Sequence, residues 1–392
     1  MTEKLYYKDA YLSSFNATVI DCQEREGAYA VVLDSTAFFP EEGGQYSDTG
    51  RLSDAHVSRV TEEDGIIYHL SDKPLLVGSV VEGVIDFDER YEKMQCHTAE
   101  HILSGLINKK YGYSNVGFHL GADEVTMDIS APLSRDELLE IELLANEVVF
   151  KNVPVCAIYP DAEEAMKMQY RSKLDITENL RIVNIGEYDS CACCAPHVSA
   201  TGEIGSIKIV DFTGLRGGTR IFITAGRRAL RYFRSLFDNL AVISHALSVP
   251  KTESAAAFEK YVLTAEEAKN ELKQLQKAYF EREADIFPES DNTVVKIFNG
   301  ATQDQMRAFA NKAVSKVDGI LVLLSPSSED VKYIIASQKC DLRGEMKKIN
   351  AALEGRGGGS AVMAQGSFKA SPADIEKYFL ENYCSHSNES TS

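Results

Sequence analysis

The 392-residue chain is short of positive charge, with 41 lysines and arginines against 59 aspartates and glutamates and a net charge of −18. A field of that sign repels phosphate, so a protein that coats nucleic acid indiscriminately is excluded and only a local basic patch is left room. Long apolar runs are missing too: no stretch approaches eighteen apolar residues, and no membrane span is expected. The N-terminus, MTEKLYYKDAYLSSF, has no basic stretch followed by an apolar one, so no secretory signal is read and a cytoplasmic location is expected. The glycine-rich turn in STAFFPEEGGQYSDTG, residues 35–50, lacks the Gly-Lys-Ser/Thr ending that cradles nucleotide phosphates. No Asp-His-His motif or comparable acidic cluster marks a paired-metal phosphoesterase.

Cysteine is unevenly spread. Of the eight, Cys191, Cys193 and Cys194 crowd into four residues. A disulfide framework would be distributed through a short secreted chain, so this clustering points to metal or redox chemistry in a reducing compartment. Upstream, CHTAEHILSG sets His97 and His101 four residues apart in a helical pattern. Residues i and i+4 share a helix face, so both imidazoles can aim at one point. Met94, Ser104 and Gly105 lie along the same stripe, the last two small enough to leave room beside the site. Downstream, SCACCAPHVSATGEIG holds Cys193 and His197, and Pro196 turns Ala195 away from the α region so that the pair meets across a loop. Two imidazoles from a helix with a thiolate and an imidazole from a loop form a set suited to tetrahedral Zn²⁺, one per chain. Cys191 or Cys194 can stand in for Cys193 in that set. Four protein ligands also suit a zinc that only staples the fold.

In residues 35–50 the Gly43-Gly44 pair permits a tight backbone path beside a ligand, and Thr36 and Gln45 offer polar groups able to read a small hydroxyl or amine. Residues 205–234 carry seven basic side chains, among them Arg216, Arg220, Arg227 and Arg228, against one acid, Asp211. That segment, with Lys109 and Lys110, is the candidate phosphate-contacting patch.

The length predicts two or three domains, and the pattern gives an α+β organisation. Residues 1–90 alternate in short runs and read as a β-rich module; 91–228 read as an α/β zinc domain, with helices over 88–110, capped by Asp88 and stopped by Gly112, and over 134–152. Residues 229–287 read as a long helical, coiled-coil-like arm whose seam runs through Phe258, Ala265, Ala268, Leu272, Leu275 and Tyr279. Residues 288–385 read as a C-terminal α/β module containing GRGGGSAVMAQGS, with Gly357, Gly358 and Gly359, and the tail SHSNESTS reads as disordered.

Three elements in order, STAFFPEEGGQYSDTG, CHTAEHILSG and CCAPHVSATGEIG followed by TRIFITAG, resemble the editing domain of alanyl-tRNA synthetase and the stand-alone alanyl-tRNA editing proteins. The resemblance covers roughly residues 5–228, and the arm with the glycine-rich motif resembles that synthetase's C-terminal domain, so the whole chain is similar to the long stand-alone form. It implies a hydrolase that cuts serine or glycine from the tRNA for alanine, without an aminoacylation core. It implies zinc on His97, His101, Cys193 and His197, a hydroxyl-sensing role for Thr36, a site role for Gln45, and a tRNA-contacting or dimerising C-terminal module. The helical seam makes a homodimer a second expectation. The chain departs from many relatives at Cys194, Ala195 and Pro196, and at Glu42, where a third glycine is common. A tRNA-binding module with structural zinc, and editing of seryl-tRNA for threonine, are the competing readings.

Overall fold

The structure, a computed structural model, describes residues 2–25, 27–122, 124–172 and 180–383; the SHSNESTS tail lies outside them. The chain divides after Ile243 into two compact units.

In the first unit, six antiparallel strands close into a barrel in the order Ser14–Arg25, Ala28–Leu33, Ile66–Ser71, Ala55–Glu63, Gly50–Leu52, Val80–Ile85. Alternation builds it: Phe15, Ala17 and Val19 point inward with Val57, Val60, Ile67 and Val81, while their neighbours face outward. Closure leaves no open edge, which suits a module of short strands.

Helix α1 (Phe87–Tyr111) follows and runs through the middle of the unit. Its cap position is Asp86, not Asp88; Asp88 and Glu89 sit in the first turn, where negative charge suits the helix N-terminus. Gly112, at φ 73°, ends the helix as its spacing predicts. A four-stranded antiparallel sheet, ordered Ile207–Leu215, Gly218–Ala225, Val125–Ile129, Asn115–Leu120, contributes to the same core. So does α2 (Arg135–Phe150), which starts with a capping box between Ser134 and Glu137 and buries Leu138, Ile141 and Val148. Leu139 and Leu144 of the same helix face solvent. Each buried aliphatic side chain here contributes about 1.5–3 kcal/mol. A three-stranded sheet (Val155–Ile158, Ile182–Ile185, Asp189–Ala192) and a short α3 (Ala162–Lys167) complete the elements that bear on the site.

The predicted arm is two helices, α4 (Gly226–Leu247), which crosses the division, and α5 (Ser254–Asp285). In the second unit, α6 (Gln303–Ala313), α7 (Leu342–Ala352) and α8 (Pro372–Asn382) accompany a five-stranded sheet ordered Val294–Ile297, Leu321–Pro326, Val331–Ala336, Met363–Phe368, Arg356–Gly359. The first pair is parallel and the rest antiparallel. The glycine run of GRGGGSAVMAQGS is itself the edge strand. Gly357, at φ 146°, lies so close to Gln365 that a Cβ would sit 2.2 Å from its carbonyl oxygen.

No helix among the described residues is long and apolar enough to cross a membrane.

Candidate metal centre

His97 and His101 share a face of α1, and the segment after the strand Asp189–Ala192 brings Cys193 and His197 to them. One ligand atom from each of the four lies within 4.8 Å of the others. The Cys193 Sγ is 3.6 Å from His97 Nε2 and 3.4 Å from His197 Nε2. Metal–sulfur and metal–nitrogen bonds of ordinary zinc length, set at a tetrahedral angle, separate sulfur from nitrogen by about 3.5 Å. The Cys193–His97 and Cys193–His197 pairs therefore stand at the spacing that a tetrahedral ion sets.

Each ring is turned the same way by a partner on its far nitrogen. His97 Nδ1 donates to Gln45 Oε1 at 2.9 Å, and His101 Nδ1 donates to Asp189 Oδ2 at 3.0 Å. The Thr98 hydroxyl gives its proton to the Met94 carbonyl, so it accepts from His197 Nδ1, 3.0 Å away. Three Nε2 lone pairs are left to face one sulfur.

The electrostatics separate the three clustered cysteines. Burial alone raises the Cys193 thiol, but the surrounding His97, His197 and His101 reverse that and hold it well below the usual thiol range. Burial pushes the Cys191 thiol up, and burial with the charges of Cys193 and Glu42 pushes Cys194 up. Cys193 thus has the thiolate character a metal ligand requires, and its two neighbours remain thiols. Burial drives His197 down to about 3 and favours the neutral ligand form. Burial also opposes charge on His101, but the Cys193 and Asp189 charges outweigh it and raise that ring well above the usual range.

The glycine motif meets this centre through Gln45. Gly43 and Gly44, at φ 63° and 82°, form a two-residue turn closed by hydrogen bonds between Glu42 and Gln45. A Cβ on Gly44 would stand 2.2 Å from the Phe118 carbonyl oxygen, so only glycine lets the turn lie against that strand and carry Gln45 to His97. Gln45 is buried, and its Nε2 has no hydrogen-bond partner among the described residues. Gly43 lies beside Cys194. Thr36 is fully buried with its hydroxyl 2.8 Å from His69 Nε2. His69 Nδ1 must donate to the Val31 carbonyl, and burial drives His69 down to about 4, so its Nε2 accepts the Thr36 proton. Thr36 in turn accepts the Phe38 N–H, which leaves its oxygen one lone pair.

The basic segment is largely matched by acids. Arg220 forms a two-bond pair with Asp128, Arg227 pairs with Asp88, and Arg231 with Glu92. Arg228 is turned inward onto the Gly121 carbonyl and the Tyr46 hydroxyl. Lys109 and Lys110, both exposed at the end of α1, pair with Glu187 and Glu140. Arg216 is exposed at the tip of the hairpin between Ile207–Leu215 and Gly218–Ala225.

Sequence reasoning missed four residues around the centre: Thr98, Glu100, Asp189 and Arg171. Thr98 and Glu100 stand inside the histidine motif, and Glu100 lies three residues past His97 on the same helix face. That spacing was a usable signal. Asp189 takes two bonds from Arg171, at 2.7 and 2.8 Å, besides the one from His101, and nothing in the linear sequence links those three positions. Gly105, read as leaving room for the site, is instead filled against Tyr188 and Asp189, where a Cβ would lie 2.4 Å from the Tyr188 carbonyl oxygen. It admits the strand that carries Asp189.

The fold and site define a chain in which a candidate metal-binding cluster of three imidazoles and a thiol, set in a unit with a closed barrel, is joined to a second, α/β unit. Residues 180–221 match the family model of the threonyl and alanyl tRNA synthetase second additional domain, and residues 290–381 match the DHHA1 domain. Over 98% of its length the chain is 27% identical to the alanyl-tRNA editing protein AlaX-L of Pyrococcus horikoshii, covering 99% of that protein. It is 33% identical over 86% of its length to the alanine–tRNA ligase of Natronomonas pharaonis, and 32% identical over 85% to that of Halobacterium salinarum. It spans 38% of each ligase. The motif resemblance is thus one of the whole chain: it is similar to a long-form stand-alone alanyl-tRNA editing protein and to the editing and C-terminal domains of the synthetase.

Proposed function

We propose that this chain is a trans-editing aminoacyl-tRNA hydrolase of the cytoplasm, which removes serine or glycine from the tRNA for alanine and holds one Zn²⁺ on His97, His101, Cys193 and His197. The observation that carries this reading is the gathering of three histidine nitrogens around the Cys193 thiolate, two of them 3.6 and 3.4 Å from its sulfur, next to the glycine turn. Thiolate with imidazole selects zinc over magnesium or calcium. When bound, the ion supplies a fixed positive charge that stabilises negative charge developing on the ester.

The chain's own groups do the selecting. Gln45 orients His97 and offers its unpartnered amide to a substrate oxygen. Thr36, its proton committed to His69, presents a lone pair to which a serine hydroxyl donates. Alanine leaves that acceptor unpaired, a difference that such sites turn into large selectivity. Arg216, Arg220, Arg227, Arg228, Lys109 and Lys110 contact phosphates of the acceptor end. The C-terminal edge strand with Gly357, Gly358 and Gly359 serves a second tRNA contact or a homodimer, and the arm is the alternative dimer surface.

Two other readings have a specific observation behind them. Four protein ligands fill a tetrahedral shell, which favours a binding module with structural zinc. The first family model spans threonyl as well as alanyl domains, which favours seryl-tRNA for threonine. Hydrolysis of seryl-, glycyl- and alanyl-tRNA for alanine, beside seryl-tRNA for threonine, separates them. Rapid release from the mischarged alanine tRNA, abolished in His97→Ala, is expected. Folded, zinc-loaded protein that releases nothing would leave the binding module standing.

A further inference from the structure

Among the described residues, four buried side-chain polar atoms have no hydrogen-bond partner: Tyr6 Oη, Gln45 Nε2, Arg181 Nε and Asp48 Oδ1. Asp48 Oδ1 at least has the Lys93 ammonium 3.6 Å away. The other three border one short segment, residues 193–195. Gln45 reaches it through His97, whose Nε2 is 3.6 Å from the Cys193 sulfur. Arg181 Nη1 donates to the Cys193 and Ala195 carbonyls at 2.7 and 2.9 Å, which holds its unpartnered Nε beside them. Tyr6 packs with Ala195 and Phe39, and Tyr7, Cys193 and Cys194 lie against that cluster. An unmade hydrogen bond in a protein interior is costly, and three of them around one segment call for a common ligand.

Tyr6 is the member of this set with no part in the metal centre. The parallel pairing of Glu3–Lys4 with Ser35–Thr36 lays the start of the chain beside the glycine motif. The turn Leu5–Tyr7 then drops Tyr6 inward, 1% exposed and edge-on to Phe39 with 5.4 Å between ring centres. A Cβ on Gly43 would lie 3.3 Å from Cys194 Sγ, so the glycine turn, Cys194 and Tyr6 are contiguous. Glu42 and Gly43 are exposed, and Tyr7 and Cys194 half-buried, so this junction reaches the surface. We propose that Tyr6 is a substrate-contacting residue, whose hydroxyl hydrogen-bonds an oxygen of the aminoacyl-adenosine end of the tRNA, an inference that rests on the editing reading above. The phenol O–H, the Gln45 amide N–H and the Arg181 Nε–H are all donors, and the ester and ribose of that end supply the oxygens to accept them. Phe39 and Ala195 hold the ring in place before substrate arrives, so little ordering is lost when the bond forms.

The test uses the full zinc-loaded chain with seryl-tRNA for alanine, and reads kcat/KM, bound zinc and the unfolding midpoint. Tyr6→Phe keeps the ring against Phe39 and Ala195 and removes only the hydroxyl. A lost hydrogen bond that leaves the substrate oxygen unpaired is expected to lower kcat/KM by roughly 10–100-fold. Zinc should be retained, and the midpoint unmoved or raised, because an unpaired buried group has left the interior. Affinity for seryl-adenosine with an amide in place of the ester, a probe that needs no turnover, should fall by a similar factor. A kcat/KM for Tyr6→Phe within about threefold of the parent would overturn the assignment while the parent's own turnover upholds the editing reading. A fall in kcat/KM that comes with a lower midpoint or lost zinc would make Tyr6 a packing residue and overturn it as well. A parent that releases no serine removes the reading on which the proposal rests.

Discussion

The two longest helices of the chain invert the usual expectation. α1 has 25 residues and α5 has 32, yet every residue of α1 from Met94 to Gly105 is buried, while the buried residues of α5 are Ser254, Phe280 and Ala284. What α1 buries is largely polar or charged: Arg90, Lys93, Gln95, His97, Thr98, Glu100 and His101. What α5 exposes is apolar: Phe258, Leu272, Leu275 and Tyr279 are all more than half exposed. Burial of polar groups is costly unless each is partnered, and in α1 the partners come from other elements. Asp48 takes Arg90, the Ser47 carbonyl takes Lys93 at 2.6 Å, Asn115 takes Glu100, and Gln45 and Asp189 take the histidines. A helix enclosed by partners along its middle can carry chemistry along one face and structural ion pairs along another, whereas an apolar seam alone carries neither.

The comparison is broken hardest at Asp48. Its Oδ2 accepts from Arg90 and from the Phe39 N–H, and its Oδ1 is 3.6 Å from Lys93. Asp48→Asn takes the carboxylate from buried Arg90 and leaves buried Lys93 with Glu89 as its remaining acidic partner among the described residues. Removing one partner from a buried ion pair costs about 3–5 kcal/mol, so a large fall in the urea midpoint is expected. A loss below about 1 kcal/mol would show that α1 tolerates unpaired charge and would end the contrast. Next in size is Asp189→Asn, which loosens the tautomer and orientation of His101 without touching a ligand. Outer partners of metal-binding histidines are worth roughly 10–100-fold in metal affinity, so chelator competition should register a loss of that order. Unchanged affinity would mean that Asp189 and Arg171 serve only to fasten their strand.

How much of this was legible followed from whether the partners were near in sequence. The extent of α1, its Gly112 stop and the helix α2 are local, and spacing and turn residues announce them. The histidine pair was readable for the same reason. The preference for Cys193 over Cys191 and Cys194 was not, because it depends on three imidazoles that gather around one sulfur only on folding. The matching of the basic segment was hidden likewise: Arg220 finds Asp128 across neighbouring strands, and Arg227 finds Asp88 across 139 residues. A count of arginines along the chain shows a patch; the fold shows most of it already neutralised.

The smallest expected effect lies in α5 and sharpens the contrast from the other side. The residues of the predicted seam lie on α5, and within one chain Leu272 and Leu275 face solvent, at 56% and 61% exposure. Exposed positions without special contacts change stability by no more than about 0.5 kcal/mol. Leu272→Ser with Leu275→Ser should therefore leave the unfolding midpoint of the dilute chain nearly unmoved. A seam covered by a second copy behaves differently, because a partner that binds only the folded form stabilises it by mass action and makes the midpoint depend on protein concentration. Unfolding curves for parent and variant across a wide concentration range, with molecular mass by sedimentation, decide between these. A midpoint that rises with concentration in the parent and not in the variant would assign the seam to a homodimer and make α5, like α1, a helix whose apolar groups are covered by another element. A flat response in both would leave α5 an exposed arm, and the apolar periodicity that marked it would then report helix formation alone.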